Sequence, residues 1–197
     1  MTIDNLNKAR FSGFLASFDR VIDQANGDEA TILKQGGDQL QQLVSHDDWL
    51  PEFCSEPHPQ HYMQYLLYCD PNERYSVVSF VWGPGQSTPV HDHTVWGLIG
   101  MLRGAEVATP YENTNGDRLL SGEKALLKAG DVDCVSPRLG DIHKVSNAFD
   151  DQVSISIHIY GGNIGKVKRH VFSEADGTPK EFISGYASNV MPNFWGG

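Results

Sequence analysis

Pro89-Val90-His91-Asp92-His93-Thr94-Val95-Trp96-Gly97 is the stretch on which the fold turns. In an extended strand the side chains at i and i+2 point the same way, so His91 and His93 both reach one ion while Asp92 faces away. Such a pair needs a third ligand from elsewhere. His143, in Pro137-Arg138-Leu139-Gly140-Asp141-Ile142-His143, supplies it if the strand after Gly140 lies beside the strand that holds His91. Neutral imidazole suits zinc, iron, copper and nickel, so the ligand type alone does not name the metal.

Both histidine segments are punctuated by turn residues. Gly85 precedes the pair and Gly104 follows it; Gly130, Pro137 and Gly140 lead to His143, and Asn147 closes that segment. Glycine serves where the backbone turns with positive φ and proline ends strands, which sets each segment between tight turns. The two segments together resemble the signature of the cupin superfamily, a small double-stranded β-barrel, or jelly roll, with a metal at its centre. The resemblance covers roughly residues 60 to 175 and implies a mainly β fold. Many cupins add a glutamate ligand shortly after the pair, but here Gly97 stands near that position. Glu106 comes later, beyond Gly104, and is the less favoured ligand. The site therefore reads as three neutral ligands, which leave a divalent ion its full charge and favour an anionic partner such as a thiolate.

A second constellation lies in Val153-Ser154-Ile155-Ser156-Ile157-His158-Ile159-Tyr160, which alternates polar and apolar with the period of a half-buried strand. Ser156, His158 and Tyr160 share one face, and that face points into the barrel if the isoleucines pack outward. A serine hydroxyl can then fix the imidazole's tautomer, and the imidazole can orient the tyrosine hydroxyl. This row behind a three-histidine cupin site resembles the thiol dioxygenases, the group containing cysteine dioxygenase and 3-mercaptopropionate dioxygenase. The resemblance implies a non-haem iron(II) enzyme that adds both atoms of dioxygen to a thiol sulfur to give a sulfinate. It makes His91, His93 and His143 the Fe(2+) ligands and Ser156, His158 and Tyr160 their outer network, with Tyr160 hydrogen-bonding the oxygen or the substrate carboxylate.

Two positions point within that group. In animal-type cysteine dioxygenases an arginine on an early strand grips the substrate carboxylate, and a cysteine beside the metal histidines cross-links to the tyrosine. Here Tyr62-Met63-Gln64-Tyr65 presents Gln64, and Gly97 stands at the cross-link position. Bacterial relatives with glutamine there tend to prefer 3-mercaptopropionate and bring a late arginine toward the carboxylate. Arg169, in Lys166-Val167-Lys168-Arg169-His170, is the matching candidate, with Lys166 and Lys168 read as solvated. Cysteine carries an ammonium that needs an acceptor when buried, whereas 3-mercaptopropionate has only thiol and carboxylate. A guanidinium offers the carboxylate a bidentate fork. The competing readings are a cysteine dioxygenase, a three-histidine zinc hydrolase or lyase using His158 as base, and a cupin isomerase or metal sensor.

The chain has 197 residues, suited to one domain, and a net charge of −10, which disfavours a nucleic-acid-binding surface. Its partners are expected to be a small thiol and dioxygen, with no nucleic acid and no membrane. Cys54, Cys69 and Cys134 form no CxxC pair and fit a reducing compartment. There is no charged-then-apolar leader and no apolar run of membrane-spanning length, so cytoplasmic residence is expected. Phe11, Phe14, Leu15, Phe18, Val21 and Ile22 recur at helical spacing up to Asn26-Gly27-Asp28, and a second helix is expected from about Glu29 to Val44, weakened by Gly36 and Gly37. A helical segment over 1–50, a barrel over 60–175 and an irregular stretch over 176–197 that could cover the barrel mouth complete the expected single domain, with core or surface packing the favoured role of Tyr186 and Trp195 over lining the pocket. Strands are expected at Tyr75 to Trp82, Val95 to Leu102, Val107 to Tyr111, Val132 to Ser136 and Val153 to Tyr160. His46, His58, His61 and His170 have no ligand-like partners in sequence.

Overall fold

The computed structural model describes residues 7–114 and 118–187. Two helices come first, α1 (Lys8–Ala25) and α2 (Glu29–Val44). The Asn7 side chain accepts from the Arg10 amide and that of Asp28 from the Thr31 amide, each satisfying a donor that a first helical turn leaves open. Asn26 and Gly27 then take left-handed backbone, φ 47° and 85°, which stops α1. The aromatic stripe of α1 is buried, as its spacing predicts, with Ile22 at the stripe's half-buried margin.

Gly36 has a use that its low helix propensity conceals. A Cβ there would stand 2.8 Å from Phe18 Cε2 and 2.9 Å from Leu98 Cδ1, so its bare backbone lets α2 settle onto both α1 and the sheet beneath.

Among the described residues twelve strands follow: β1 (Met63–Cys69), β2 (Ser76–Trp82), β3 (Val90–His91), β4 (Gly97–Arg103), β5 (Ala105–Thr114), β6 (Arg118–Ser121), β7 (Ala125–Lys128), β8 (Val132–Val135), β9 (His143–Asn147), β10 (Ser154–Tyr160), β11 (Arg169–Phe172) and β12 (Pro179–Phe182). One antiparallel sheet has five strands in the order β1-β2-β10-β4-β8. The other has seven, in the order β12-β11-β3-β9-β5-β6 with β7 also paired to β5. This is the mainly β cupin fold, with the two helices packed against it.

β10 explains how the sheets divide the chemistry. Ile155, Ile157 and Ile159 join Phe11, Phe18 and Leu40 beneath the helices. Ser156, His158 and Tyr160 take the opposite face, between the sheets, and the strand is buried along its whole length. An alternation that reads as a half-exposed strand is here buried on both sides, because its polar face lines the barrel interior. Each buried isoleucine contributes roughly 1.5–3 kcal/mol, and a one-residue slip would exchange the two faces, so the apolar row fixes where the polar row points.

Two expectations are corrected. The stretch 176–197 is not wholly irregular: β12 lies in it and pairs with β11, setting Phe182 opposite Arg169. Trp195 falls outside the described residues. The histidine pair does not share one strand either, since β3 ends at His91 and the chain turns at Thr94, φ 59°. The short strands β6 and β7 carried no pattern that announced them. Cys54, Cys69 and Cys134 are free thiols, and among the described residues no helix is long and apolar enough to cross a membrane.

Candidate metal centre and its cavity

His91 on β3 stands directly opposite His143 on β9, and residues facing each other across an antiparallel pair project to the same side. His93 lies beyond the end of β3 and is brought in by Asp141. That carboxylate accepts from the backbone amides of His93 at 3.1 Å and Thr94 at 2.8 Å, and its Oδ1 accepts from His93 Nδ1 at 3.0 Å. One ring nitrogen from each of the three histidines lies within 4.8 Å of the others, and all three side chains are buried.

The tautomers favour metal binding. His91 Nδ1 donates to the Pro89 carbonyl at 3.0 Å. A nitrogen facing a carbonyl or carboxylate carries the ring proton, so Nε2 of both His91 and His93 is left bare. Burial pushes His91 down to about 3 and His143 well below the ordinary histidine range, which keeps both rings neutral, as metal ligation requires. The donor set fits a divalent transition metal. Asp92 faces away, its oxygens accepting from the His170 amide at 2.6 Å and from His170 Nδ1 at 2.8 Å. Glu106 is not part of the three-histidine group and lies buried on β5.

The β10 row is continuous. Ser156 Oγ and His158 Nε2 are 2.8 Å apart, as are His158 Nδ1 and the Tyr160 hydroxyl, and Trp82 Nε1 donates to Ser156 Oγ at 3.0 Å. Phe80 stacks on His158 with ring centroids 4.2 Å apart, and the Tyr160 ring stacks on His93 at 5.5 Å. That last contact joins the row on one sheet to the histidines on the other. Burial pushes the Tyr160 phenol up and His158 well down, so the phenol keeps its proton and the ring stays neutral.

A cavity of about 210 Å³ opens beside His91, lined by Tyr62, Gln64, Phe80, Thr88, Arg169, Phe182 and Ser184 among others. A wider pocket of about 460 Å³ shares Tyr62, Gln64, Phe182 and Ser184 with it and is walled by His61, Tyr186 and Ala187. Arg169 is 3% exposed. One of its terminal nitrogens donates to Ser184 Oγ at 2.6 Å, its guanidinium lies 4.7 Å over the Phe182 ring, and its Nε has no partner. Gln64 Nε2 donates to the same Ser184 Oγ and to the Gly185 carbonyl, both at 3.2 Å. Lys166 and Lys168 are exposed beside Glu73 and Glu181, in keeping with solvated roles.

Comparison with known proteins adds the decisive observation: the family model for cysteine dioxygenase type I matches residues 58–174. The chain belongs to that family. Solved structures similar to it include a protein from Thermus thermophilus, 19% identical over 56% of this chain and 92% of that one, with a TM-score of 0.45. A cupin superfamily protein from Desulfitobacterium hafniense is 18% identical over 60% of this chain and 94% of that one, with a TM-score of 0.44. A double-stranded β-helix domain protein from Klebsiella pneumoniae is 21% identical over 57% of this chain and 87% of that one, with a TM-score of 0.43.

In this member of the cysteine dioxygenase family Gly97 pairs with Tyr160 in the strand register, and a Cβ at 97 would lie 3.1 Å from Tyr160 Cδ1. The tyrosine ring rests on bare backbone. Sequence reasoning missed Asp141, Ser184 and Trp82. Asp141, two residues before His143 and just after Gly140, carried the one local signal, a carboxylate in a turn beside a ligand. Tyr186, read from the sequence chiefly as a packing residue, both packs against the core and walls the outer pocket, its hydroxyl donating to Asn163 Oδ1 at 2.6 Å and accepting from the Gly165 amide at 2.9 Å. His58 pairs with His61 at 3.9 Å between ring centroids, away from the three histidines.

Proposed function

We propose that this chain is a non-haem iron(II) thiol dioxygenase that adds both atoms of dioxygen to the sulfur of 3-mercaptopropionate to give 3-sulfinopropionate. The observation that carries the substrate assignment is the buried Arg169 guanidinium, half satisfied and beside His91 in one small cavity. A desolvated cation in the cavity wall is a ready receptor for a carboxylate, and no carboxylate side chain among the described residues lines that cavity to receive an ammonium. This favours 3-mercaptopropionate over cysteine.

His91, His93 and His143 would hold the ion. When bound, ferrous iron supplies open coordination positions for thiolate and dioxygen and the electrons that activate dioxygen. The protein's own groups do the rest by placement. Arg169 and Gln64 hold the carboxylate end, Phe80 and Phe182 exclude water, and Tyr160, oriented by His158 and Ser156, presents its hydroxyl toward the histidines. Both ring nitrogens of His158 are engaged, by Ser156 and Tyr160, which counts against its acting as the base of a zinc hydrolase.

Oxygen uptake by iron-loaded protein with 3-mercaptopropionate, cysteine, cysteamine and mercaptosuccinate tests this, with the sulfinate product identified by mass. Uptake fastest with 3-mercaptopropionate is expected. No uptake with any thiol, or activity that requires zinc, ends the dioxygenase reading; uptake fastest with cysteine ends only the substrate assignment.

A further inference from the structure

The strand that holds Arg169 and the segment that holds the first two histidines meet over a very short length. β3 has two residues, and its register with β11 sets His91 opposite Val171 and Val90 opposite Phe172. Carried further, that register would set Asp92 opposite His170 and His93 opposite Arg169. The backbone does not carry it further, because the chain turns away at Thr94, φ 59°.

Asp92 completes the ladder with its side chain. Its amide donates to the His170 carbonyl at 3.1 Å, as in an ordinary antiparallel pair. The return bond from the His170 amide goes to Asp92 Oδ1, at 2.6 Å, in place of a peptide carbonyl. Asp92 Oδ2 then accepts from His170 Nδ1 at 2.8 Å. Asp92 is buried, and bonds to an ionised acceptor are among the stronger ones. The carboxylate lets the main chain leave the sheet for the ligand turn while β11 stays fastened to it.

The two ends of the small cavity are what this fastening holds together. Arg169 and Val171 project to one side of β11 and line the cavity with His91, which leaves His170 on the opposite face. His170 directly follows Arg169, and Asp92 stands between His91 and His93. Three hydrogen bonds between these neighbours therefore keep the guanidinium at a set reach from the histidine cluster. On the other edge of β11, Phe182 of β12 stands opposite Arg169 with its ring 4.7 Å beneath the guanidinium.

We propose that the Asp92–His170 pair is a ruler: both are positioning residues that set the span between sulfur and carboxylate, and so select mercapto acids by the length of carbon chain joining the two groups. This rests on the reading above, in which Arg169 takes the carboxylate and the three histidines hold the ion that takes the sulfur. Neither Asp92 nor His170 touches the substrate. A guanidinium fork and an ion at a fixed separation engage both ends of one chain length at once, while a shorter or longer chain gives up one contact or its relaxed geometry.

The test titrates the cobalt(II)-loaded full-length chain, without oxygen, with 3-mercaptopropionate, with mercaptoacetate, which is one methylene shorter, with 4-mercaptobutyrate, which is one longer, and with 2-mercaptoethanol. Binding is read from the thiolate-to-cobalt absorption. The wild type is expected to bind 3-mercaptopropionate roughly tenfold or more tightly than either neighbouring acid, the scale on which a site tells one methylene. In Asp92→Ala and His170→Ala that ratio should fall toward unity, with 2-mercaptoethanol bound as by the wild type. Asp92→Asn keeps an acceptor for the His170 amide and should keep most of the ratio. His170 is not a sequence neighbour of any ligand, so its variant decides the matter if Asp92→Ala takes up cobalt poorly. A wild type indifferent to length, a ratio unchanged in both alanine variants, or an equal loss on all four thiols overturns the proposal. A wild-type preference for another length that both variants lose would support the ruler and end only the assignment of 3-mercaptopropionate. Because the titration needs neither iron nor dioxygen, an absence of thiol oxidation by iron-loaded protein would defeat the proposed function and leave this result standing.

Discussion

Gly97 and Tyr160 face each other across β4 and β10 so closely that one added methyl at 97 would press on the phenol ring at 3.1 Å and on Val135 Cγ2 at 3.0 Å. Gly97→Ala is expected to cost about 1–3 kcal/mol by overpacking. It should also shift the Tyr160 hydroxyl off His158 Nδ1, leaving metal content unchanged while turnover falls roughly 10- to 100-fold. Metal analysis beside oxygen uptake checks it; unchanged turnover would mean that the ring has room to move.

Asp141 fixes His93 without being a ligand. Asp141→Ala should weaken metal binding about 10- to 100-fold, the usual cost of losing a residue that orients a ligand. His143→Ala should abolish binding at the same metal concentration. Competition with a chelator distinguishes the two, and an Asp141→Ala affinity equal to wild type would remove that role.

Arg169→Gln deletes a charged donor from the cavity. Hydrogen bonds to charged groups are worth about 1.5–3 kcal/mol, so KM for 3-mercaptopropionate should rise roughly 10- to 150-fold. A thiol without a carboxylate, such as 2-mercaptoethanol, should be oxidised as well as before. An equal loss on both substrates would point to a structural role for the arginine.

Glu106 gives the folded chain a measurable pH dependence. Its carboxyl is raised from 4.5 to about 7, so the folded state retains there a proton that the unfolded state releases. The stability this contributes is complete below about 4.5 and is lost as pH rises through about 7. The loss amounts to about 3 kcal/mol over that interval. Glutamine does not titrate, so Glu106→Gln should gain on wild type by an amount of that order between pH 5 and pH 8 in urea unfolding. A difference independent of pH would contradict the burial argument.

Tyr160→Phe removes the hydroxyl that meets His158 and leaves the histidine cluster intact. Metal content should be unchanged and kcat should fall by a factor on the order of 100, the scale of losing one well-placed donor. Loss of metal would show instead that the tyrosine supports the ligands.

What could be read from the chain alone follows the range of each interaction. The α1 stripe, the Asn26-Gly27 stop and the β10 alternation are local patterns, and each lies where its spacing put it. His143 was legible because Gly140 marked a turn just before it. Asp141 and Ser184 were not singled out, because a single polar residue in a loop has no period, and what makes each matter is a partner 48 residues distant in one case and 120 in the other. Glu106, weighed in the sequence as the less favoured ligand, lies buried on β5 outside the histidine cluster. The assumption that His91 and His93 share one strand was wrong, yet their rings converge because Asp141 gathers the turn that follows β3.

Ser184 lies beyond the last strand, in the wall of the cavity that also reaches His91, and its one hydroxyl accepts from both the amide of Gln64 and the guanidinium of Arg169. On the proposed assignment of the substrate carboxylate to Arg169 and Gln64, metallation and selectivity are assembled by separate parts of the chain. A preparation nicked just after β12 could carry a full complement of ion and still discriminate poorly among thiols, so metal content alone is an incomplete assay of competence.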